Sequence, residues 1–169
     1  AHAGSDVLLV DACERGQGIA RRLGIDGAPS LLSVARQECA LNQVIHQAPQ
    51  GFGVVGMLHG ARYDADDSRR MANTFDVLVK QSGIVMVDGE LADDDSFPLP
   101  VMAASEIVVQ VSTSAASITN AYTLIKRLSQ QYGRRPFGIL VTNASETEAK
   151  VVYDNMATAA SRYLAVQLT

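Results

Sequence analysis

The sequence has no tryptophan, only two cysteines, and no long apolar run. Cys13 and Cys39 lie far apart and show no metal-ligand spacing, so they predict a protein with reduced thiols in the cytosol. No apolar stretch approaches the roughly 18 residues that a membrane-spanning helix needs. No signal peptide is visible either. These absences argue against a disulfide-stapled secreted scaffold and against a membrane-spanning protein.

Recognisable catalytic and nucleic-acid-binding patterns are also missing. The three histidines, His2, His46 and His59, are scattered and give no metal-site spacing. No Gly-x-Ser-x-Gly turn occurs, so nothing favours Ser/His/Asp catalysis. The net charge is −4 and the pI is about 5.3, which argues against a nucleic-acid surface.

Short apolar runs alternate with helical patterns along the chain. They are Val7 to Val10, Phe52 to Leu58, Ile84 to Val87, Ile107 to Val111 and Phe137 to Val141, and Leu164 to Leu168 begins a further one. Continuous apolar runs between helices favour a three-layer α/β fold, a mostly parallel sheet with helices on both faces. At 169 residues, the chain is expected to form a single domain over residues 1–169.

Helix signals fall between these runs. Helices are expected from Ile19 to Leu23, from Pro29-Ser30 to Ala35, from Ala40 to Ile45 and from Asp66 to Lys80. A fifth follows the Ser112 to Ser114 cluster and ends at Tyr132-Gly133, and the last runs from Glu146 to Tyr163 after the capping box Ser145 to Glu148. The predicted buried face of the fourth comprises Met71, Phe75, Leu78 and Val79. Ile118, Ala121, Tyr122, Ile125 and Leu128 form such a stripe on the fifth, and Ala149, Val152, Tyr153, Met156 and Ala160 on the last.

Two aspartates stand directly after apolar strands. Asp11 follows the first run and Asp88 the third. In open α/β sheets the ligand crevice lies at the carboxyl ends of the strands, which makes both residues candidates for a binding site. Helix-capping or turn roles are the alternative, because Asp favours both.

The stretch from Ala104 to Lys126 resembles a known family. Ala104-Ser105-Glu106, the strand after it, and Ser117-Ile118-Thr119-Asn120-Ala121-Tyr122-Thr123-Leu124-Ile125-Lys126 are similar to the MinD/ParA group of P-loop ATPases. The similarity is greatest to the branch that controls flagellar number and placement, FlhG (also called YlxH). Val7 to Ala12 and Pro29 to Val44 also resemble segments of that family.

This resemblance implies a set of functional expectations. ATP and Mg²⁺ are the implied cofactors, with Asp88 holding the metal through water, Asp11 as a candidate catalytic residue, and Asp11, Asp88 and Asn143 contacting the nucleotide. It also implies a homodimer that meets a flagellar GTPase or flagellar switch or transcription proteins. The expected location is the cytoplasm, at the membrane periphery or the cell pole.

The sequence departs from the family at its nucleotide-facing positions. No Gly-Lys phosphate loop occurs, and the chain is expected to lack the N-terminal P-loop strand and helix. Cys13 replaces a second acidic residue, and Gly18 stands where the family has Asn. The family's switch glycine is lost in Asp88 to Ala92, and its Pro-Glu-Pro turn is Thr113-Ser114-Ala115.

Three functions follow as hypotheses. The first is a flagellar-placement regulator on an ATPase fold whose hydrolysis has decayed, which leaves its status as an ATPase open. The second is a non-catalytic protein-interaction module on the same fold. The third is a phospho-receiver using Asp11 or Asp88, which the strand ends support poorly because they offer Ser112 and Thr142 but no lysine.

Overall fold

The computed structural model describes residues 7–13, 18–25, 27–58, 64–92 and 96–169, with the side chain of Val101 left aside. The chain divides into two compact units, residues 1–102 and 103–169. That the two form a single domain stays a prediction. The histidines His2 and His59 of the sequence analysis lie outside the described residues.

The first unit contains a four-stranded sheet. Its elements, in chain order, are β1 (Val7–Asp11), α1 (Ile19–Arg22), α2 (Leu31–Ala35), α3 (Leu41–Val44), β2 (His46–Gln47), β3 (Gly53–Gly56), α4 (Ala65–Gln81) and β4 (Ile84–Asp88). The strand order is β2-β3-β1-β4. The strand β1 pairs in parallel with both β3 and β4, whereas the short β2 pairs antiparallel with β3. The carboxyl ends of β1, β3 and β4 therefore lie at one edge of the sheet.

The core of this unit packs helices α2 and α4 against β1 and β3. Val10, Val55, Leu31 and Met71 are fully buried in it. Arg36, just after α2, forms an ion pair with Asp67 in the first turn of α4, at 2.7 Å between Nη2 and Oδ2. Asp67 also caps α4, since its Oδ2 accepts from the Asp64 N–H at 3.3 Å.

The second unit contains a three-stranded sheet and two long helices. After a 3-10 helix (Pro100–Ala104) that spans the division between the units, its elements are β5 (Val108–Ser112), α5 (Ala115–Tyr132), β6 (Pro136–Thr142), α6 (Glu146–Leu164) and β7 (Gln167–Leu168). The strands run in parallel in the order β5-β6-β7. The predicted strand, turn and helix between Ser105 and Lys126 are thus confirmed.

The helices of the second unit cover one face of its sheet. Along β5 the burial alternates: Val109 and Val111 are buried, while Val108 is 62 % exposed. On the helices the buried residues are Ala121, Ile125, Leu128, Val152, Met156 and Ala160. Both long helices therefore present the predicted apolar stripes to the strands, although four members of these stripes are only half-buried: Ile118, Tyr122, Ala149 and Tyr153.

The sequence-based element predictions hold with four corrections. The predicted last strand, Leu164 to Leu168, is reduced to Gln167–Leu168, because α6 continues through Leu164. The strand β3 is shorter than predicted, because only Gly53–Gly56 pairs with neighbours. Val79 of α4 is 43 % exposed, because the buried stripe is complete with Met71, Phe75 and Leu78. The two-residue β2 has no signal in the sequence, since it exists only through its pairing with β3. In the described part of the chain, no helix is both long and apolar enough to cross a membrane.

Candidate functional site

Asp11 and Asp88 lie side by side at the carboxyl ends of β1 and β4. They are paired residues in the parallel register of these strands. Neighbouring strands lie about 4.8 Å apart, and paired residues point to the same face of the sheet. The structure therefore brings together the two aspartates that the sequence singled out. Their environments, however, differ.

The Asp11 carboxylate is buried and is held by the backbone. The residue is 7 % exposed. Its Oδ1 accepts a hydrogen bond from the Cys13 N–H at 3.0 Å, and its Oδ2 accepts one from the Ala20 N–H at 2.7 Å. One carboxylate oxygen is thus bound next to β1, and the other at the start of α1.

The Asp11 carboxylate fits here because Gly18 has no side chain. A Cβ atom at Gly18 would lie 2.2 Å from Asp11 Oδ2 and 2.3 Å from Oδ1, far inside van der Waals contact. Only glycine lets the backbone approach a side chain this closely. The resemblance in the sequence implies only that Gly18 stands where the family has Asn. The close approach of Gly18 to Asp11 could not be predicted from the sequence.

Asp88 is an exposed residue, yet the surroundings of its carboxyl group disfavour the ionised form. Partial burial of the carboxyl group raises its pKa, and the negative charge of Asp11 raises it further. The charge of Arg22 on α1 opposes this rise, and Glu90 adds to it. Arg22 is a contributor that sequence reasoning missed, because its proximity to Asp88 arises from the placement of α1.

Cys13 is a neutral thiol in this environment. Burial raises its pKa to about 11, with further contributions from Asp88, Asp11 and Glu90 and from a hydrogen bond to Asp11. The Sγ atom lies 3.9 Å from the carbonyl oxygen of Asp88. A protonated thiol is a poor nucleophile and does not bind hard cations. Cys13 therefore does not replace the acidic residue that the family has at this position.

Asn143 lies in the second unit and is described by itself. It follows β6, is exposed, and adopts a left-handed conformation with φ 55°. Asn tolerates this conformation better than most residues. Asn143 directly follows the strand that pairs with β5, so it lies at the carboxyl edge of its own sheet.

The described residues do not form a metal site. Among them, no group of three or more His, Cys, Asp or Glu side chains is arranged to hold an ion. Each Asp11 oxygen accepts one backbone hydrogen bond, so the fold fixes the orientation of this carboxylate and leaves a lone pair on each oxygen. Asp88 remains the carboxylate exposed at this edge.

The second unit places a serine cluster at the start of α5. Ser114 caps the helix by accepting from the Ser117 N–H at 3.2 Å, and Ser117 Oγ accepts from the Ser112 N–H at 2.9 Å. These bonds account for the polar turn at the position of the family's Pro-containing segment. The turn is held by its own hydrogen bonds.

Comparison with known proteins relates this chain to one curated protein by sequence. No family model matches it. The antiactivator FleN of Pseudomonas aeruginosa is 27 % identical over 173 aligned residues, which cover 99 % of this chain and 62 % of FleN. The chain thus spans less than two thirds of the length of that relative.

Solved structures show the same fold at low sequence identity. The MinC:MinD cell division complex of Aquifex aeolicus superposes with a TM-score of 0.68 at 15 % identity, covering 98 % of this chain and 67 % of that one. A ParA family ATPase of Chlorobium tepidum gives 0.60 at 13 % identity, covering 98 % and 70 %. The predicted MinD/ParA-type α/β fold and the resemblance to its flagellar-placement branch are confirmed.

Proposed function

We propose that the chain is part of a MinD/ParA-type regulator of flagellar number and placement that acts through contacts with other proteins. The observation that carries this proposal is the similarity to the antiactivator FleN, which extends over 99 % of the chain. The agreement of the fold with MinD and ParA structures supports it. We further propose that residues 1–169 behave as one domain.

ATP and magnesium are the cofactors that this resemblance implies. In this proposal Asp88 is the residue that approaches the metal through water, because its carboxylate is exposed at the strand end. Asn143 is also proposed as a nucleotide contact. Asp11, whose oxygens each accept one backbone hydrogen bond, is proposed as a further nucleotide contact and as the candidate catalytic residue.

Hydrolysis is proposed to be decayed. In the family, two carboxylates follow the first of these strands. Here one is the bound Asp11 and the other is the neutral thiol Cys13. A neutral thiol does not orient an attacking water as a carboxylate does, so the second of these positions no longer supports hydrolysis.

The proposed partners are proteins. A second copy of the chain, a flagellar GTPase, and flagellar switch or transcription proteins are the candidates, and the proposed location is the cytoplasm, at the membrane periphery or the cell pole. The net charge of −4 supports protein partners over nucleic acid.

A non-catalytic interaction module is the second candidate. The hydrogen bond from the Ala20 N–H to Asp11 favours this candidate, because a domain that no longer binds nucleotide can use a former site residue to stabilise its own fold. The two candidates share the fold and differ in nucleotide binding.

Two experiments test these proposals. Mg·ATP is titrated against the purified protein while binding and phosphate release are followed. We expect no phosphate release; saturable binding identifies the regulator that kept its nucleotide, and absent binding identifies the module. Turnover would contradict the decayed site. A Cys13→Asp variant that gains turnover would show that only this carboxylate is missing.

The biological role is tested separately in the organism that carries the chain. Deleting its gene is expected to change the number or position of flagella, and restoring it is expected to reverse the change. An unaltered flagellar pattern would overturn the regulatory role without affecting the fold assignment.

A further inference from the structure

We propose that the free edge of β4 binds one further β-strand, an uncharged apolar segment of a partner protein that pairs with the backbone of Val85 and Val87. The inference rests on the proposed function in one respect, the choice of a protein as the partner. The edge itself is a property of the first unit alone.

The two edges of the sheet in the first unit differ in length and in chemistry. One edge is β2, which has only two residues, His46 and Gln47. The other edge is β4, a five-residue strand that begins Ile-Val-Met-Val. Very short edge strands discourage further pairing, whereas a longer apolar edge is a template for another strand. The edge open to a partner is therefore β4.

The side chains of β4 are exposed although their composition is that of an interior strand. Met86 is 56 % exposed and Ile84 is 48 % exposed, whereas Val10 of the neighbouring β1 is fully buried. Val87 is also exposed, and its side chain points to the opposite face of the sheet. A helix lying on one face would leave the other uncovered. A strand beside β4 would contribute side chains to both faces, because successive residues alternate.

The backbone of β4 directs hydrogen-bonding groups to this edge. The carbonyl oxygen of Asp88 accepts from the Ala12 N–H at 2.7 Å, so Asp88 turns its backbone groups toward β1. Successive residues of a strand turn these groups to opposite sides, so Val85 and Val87 direct theirs away from β1. Among the described residues, β4 is the last strand of its sheet, and no strand pairs with it on that side. An extended backbone is what satisfies such groups.

The charge around the edge indicates the composition of the partner segment. The stretch Ile84 to Val87 has no charged residue, whereas the carboxyl end of β4 carries Asp88, with Asp11 beside it in the register. Partial burial and the negative charge of Asp11 raise the pKa of Asp88. An acidic group brought to this end would be repelled, and a basic one would be attracted. We therefore expect an apolar run that is neutral or basic where it reaches Asp88.

A second copy of the chain fits this edge less well than a segment of a different protein. Two copies in a closed dimer present the same strand to each other across a two-fold axis, and their β4 strands would then pair antiparallel. The longer strands of this sheet, β1, β3 and β4, all run parallel. A segment of another protein is free to continue that direction.

The test uses a synthetic peptide as the probe and the intact protein as its target. The peptide is Trp-Gly-Val-Ile-Val-Ile-Val-Lys-Lys, and its fluorescence reports binding because the chain has no tryptophan. We expect saturable binding. Amide hydrogen exchange, measured by NMR at saturation, is expected to slow about tenfold or more at Val85 and Val87, while Val54 of the buried β3 keeps its rate. A control peptide with Pro at its three central apolar positions lacks the donors and is expected not to bind.

Val85→Pro removes one donor at the open edge. The fold is expected to tolerate it, because edge strands accept Pro where the N–H faces outward. Peptide binding is expected to weaken about fivefold or more, since a backbone hydrogen bond is lost. Val85→Thr is the matched control, which keeps the N–H and the branched shape, and it is expected to bind as the unmodified protein does. An equal loss in both variants, or no loss in either, would overturn the pairing.

Measurements on the unmodified protein cover the case in which Val85→Pro fails to fold. Absence of saturable binding, equal binding of the proline peptide, or slow exchange at Val85 before peptide is added would each refute the proposal. Analytical ultracentrifugation adds a further outcome: a dimer that the peptide dissociates would assign the edge to a second copy and overturn the different partner.

The failure of this inference is distinguishable from that of the proposed function. Loss of peptide binding says nothing against a change in flagellar pattern when the gene is deleted. An unaltered flagellar pattern would refute the regulatory role, and the peptide would still test the edge.

Discussion

The two units of this chain are stabilised by different means. In residues 103–169, two long helices with serine N-caps cover a parallel sheet, and the buried side chains are almost all apolar. In residues 1–102, the short helices α1 to α3 and the longer α4 accompany the strands, and this unit buries three polar residues, Asp11, Ser30 and Asp67. Helices in both units gain most of their stability from packing an apolar face. The first unit differs in its buried carboxylates, since Asp11 accepts a hydrogen bond from the start of α1 and Asp67 pairs with Arg36 just after α2.

The largest expected effect comes from truncating one core residue in each unit. Met71→Ala and Ile125→Ala each remove a fully buried side chain. Each should lower the free energy of unfolding by about 2–5 kcal/mol. The comparison is made by chemical denaturation.

The same experiment tests the single domain. Four of the five tyrosines lie in residues 103–169, so their fluorescence reports mainly on the second unit while circular dichroism reports on the whole chain. We expect the two signals to change together in both variants. Separate transitions, each sensitive to only one substitution, would show that the units unfold independently.

Helix caps should matter about equally in both units. Ser145 Oγ accepts from the Glu148 N–H at 3.4 Å in α6, and Asp64 Oδ1 accepts from the Asp67 N–H at 2.8 Å in α4. Ser145→Ala and Asp64→Ala should each cost about 1 kcal/mol by urea denaturation. The exposed Thr147→Ala serves as the control and should change stability little. If Ser145→Ala leaves the stability unchanged, the Ser145 cap does not determine where α6 begins.

Acid should weaken both units through a different carboxylate in each. The hydrogen bond from Arg36 lowers the pKa of Asp67, and that from Ser145 lowers the pKa of Glu148. A lowered pKa stabilises the fold above the ordinary pKa of the unfolded carboxyl. That contribution is lost as pH falls through the folded value.

Denaturation midpoints measured from neutral to acidic pH check this expectation. Asp67→Asn and Glu148→Gln should each flatten the acid limb of the curve while the unmodified protein keeps its slope. If neither substitution alters the slope, these hydrogen bonds do not link protonation to stability.

The smallest expected effect is on the chemistry of Cys13 and leaves stability nearly unchanged. Asp88→Asn removes one of the negative charges that raise the Cys13 pKa from its ordinary value to about 11, so that pKa should fall. The pH dependence of Cys13 alkylation, measured in a Cys39→Ser background, reports this change in pKa. An unshifted profile would mean that the charge of Asp88 does not contribute to the Cys13 pKa.

Much of the second unit was predictable from local signals. The capping box at Ser145 to Glu148, the apolar stripes of α5 and α6, and Gly133 at the end of α5 are short-range patterns that act within one element. The run Ile107 to Val111 predicted β5 within one residue. It did not predict that Val108 is exposed, because burial depends on what packs on each face of the sheet.

The site in the first unit was predictable only in part. Two aspartates after apolar strands placed Asp11 and Asp88 at the same edge of the sheet, since strand-end position follows from the order of apolar and polar residues. The two residues nevertheless have different environments. That difference comes from Gly18 and Ala20, which are distant from β1 in sequence and reach Asp11 only after folding.

The sequence by itself determined the α/β class, the helix boundaries and the edge at which both aspartates lie, because hydrophobic periodicity and capping residues are local properties. Only the tertiary structure decided that Asp11 accepts hydrogen bonds from backbone N–H groups and that Asp88 is exposed. It also decided that the charge of Arg22 acts on the carboxyl group of Asp88. Hydrogen-bond partners and electrostatic fields depend on distances between elements, and the order of residues does not encode those distances directly.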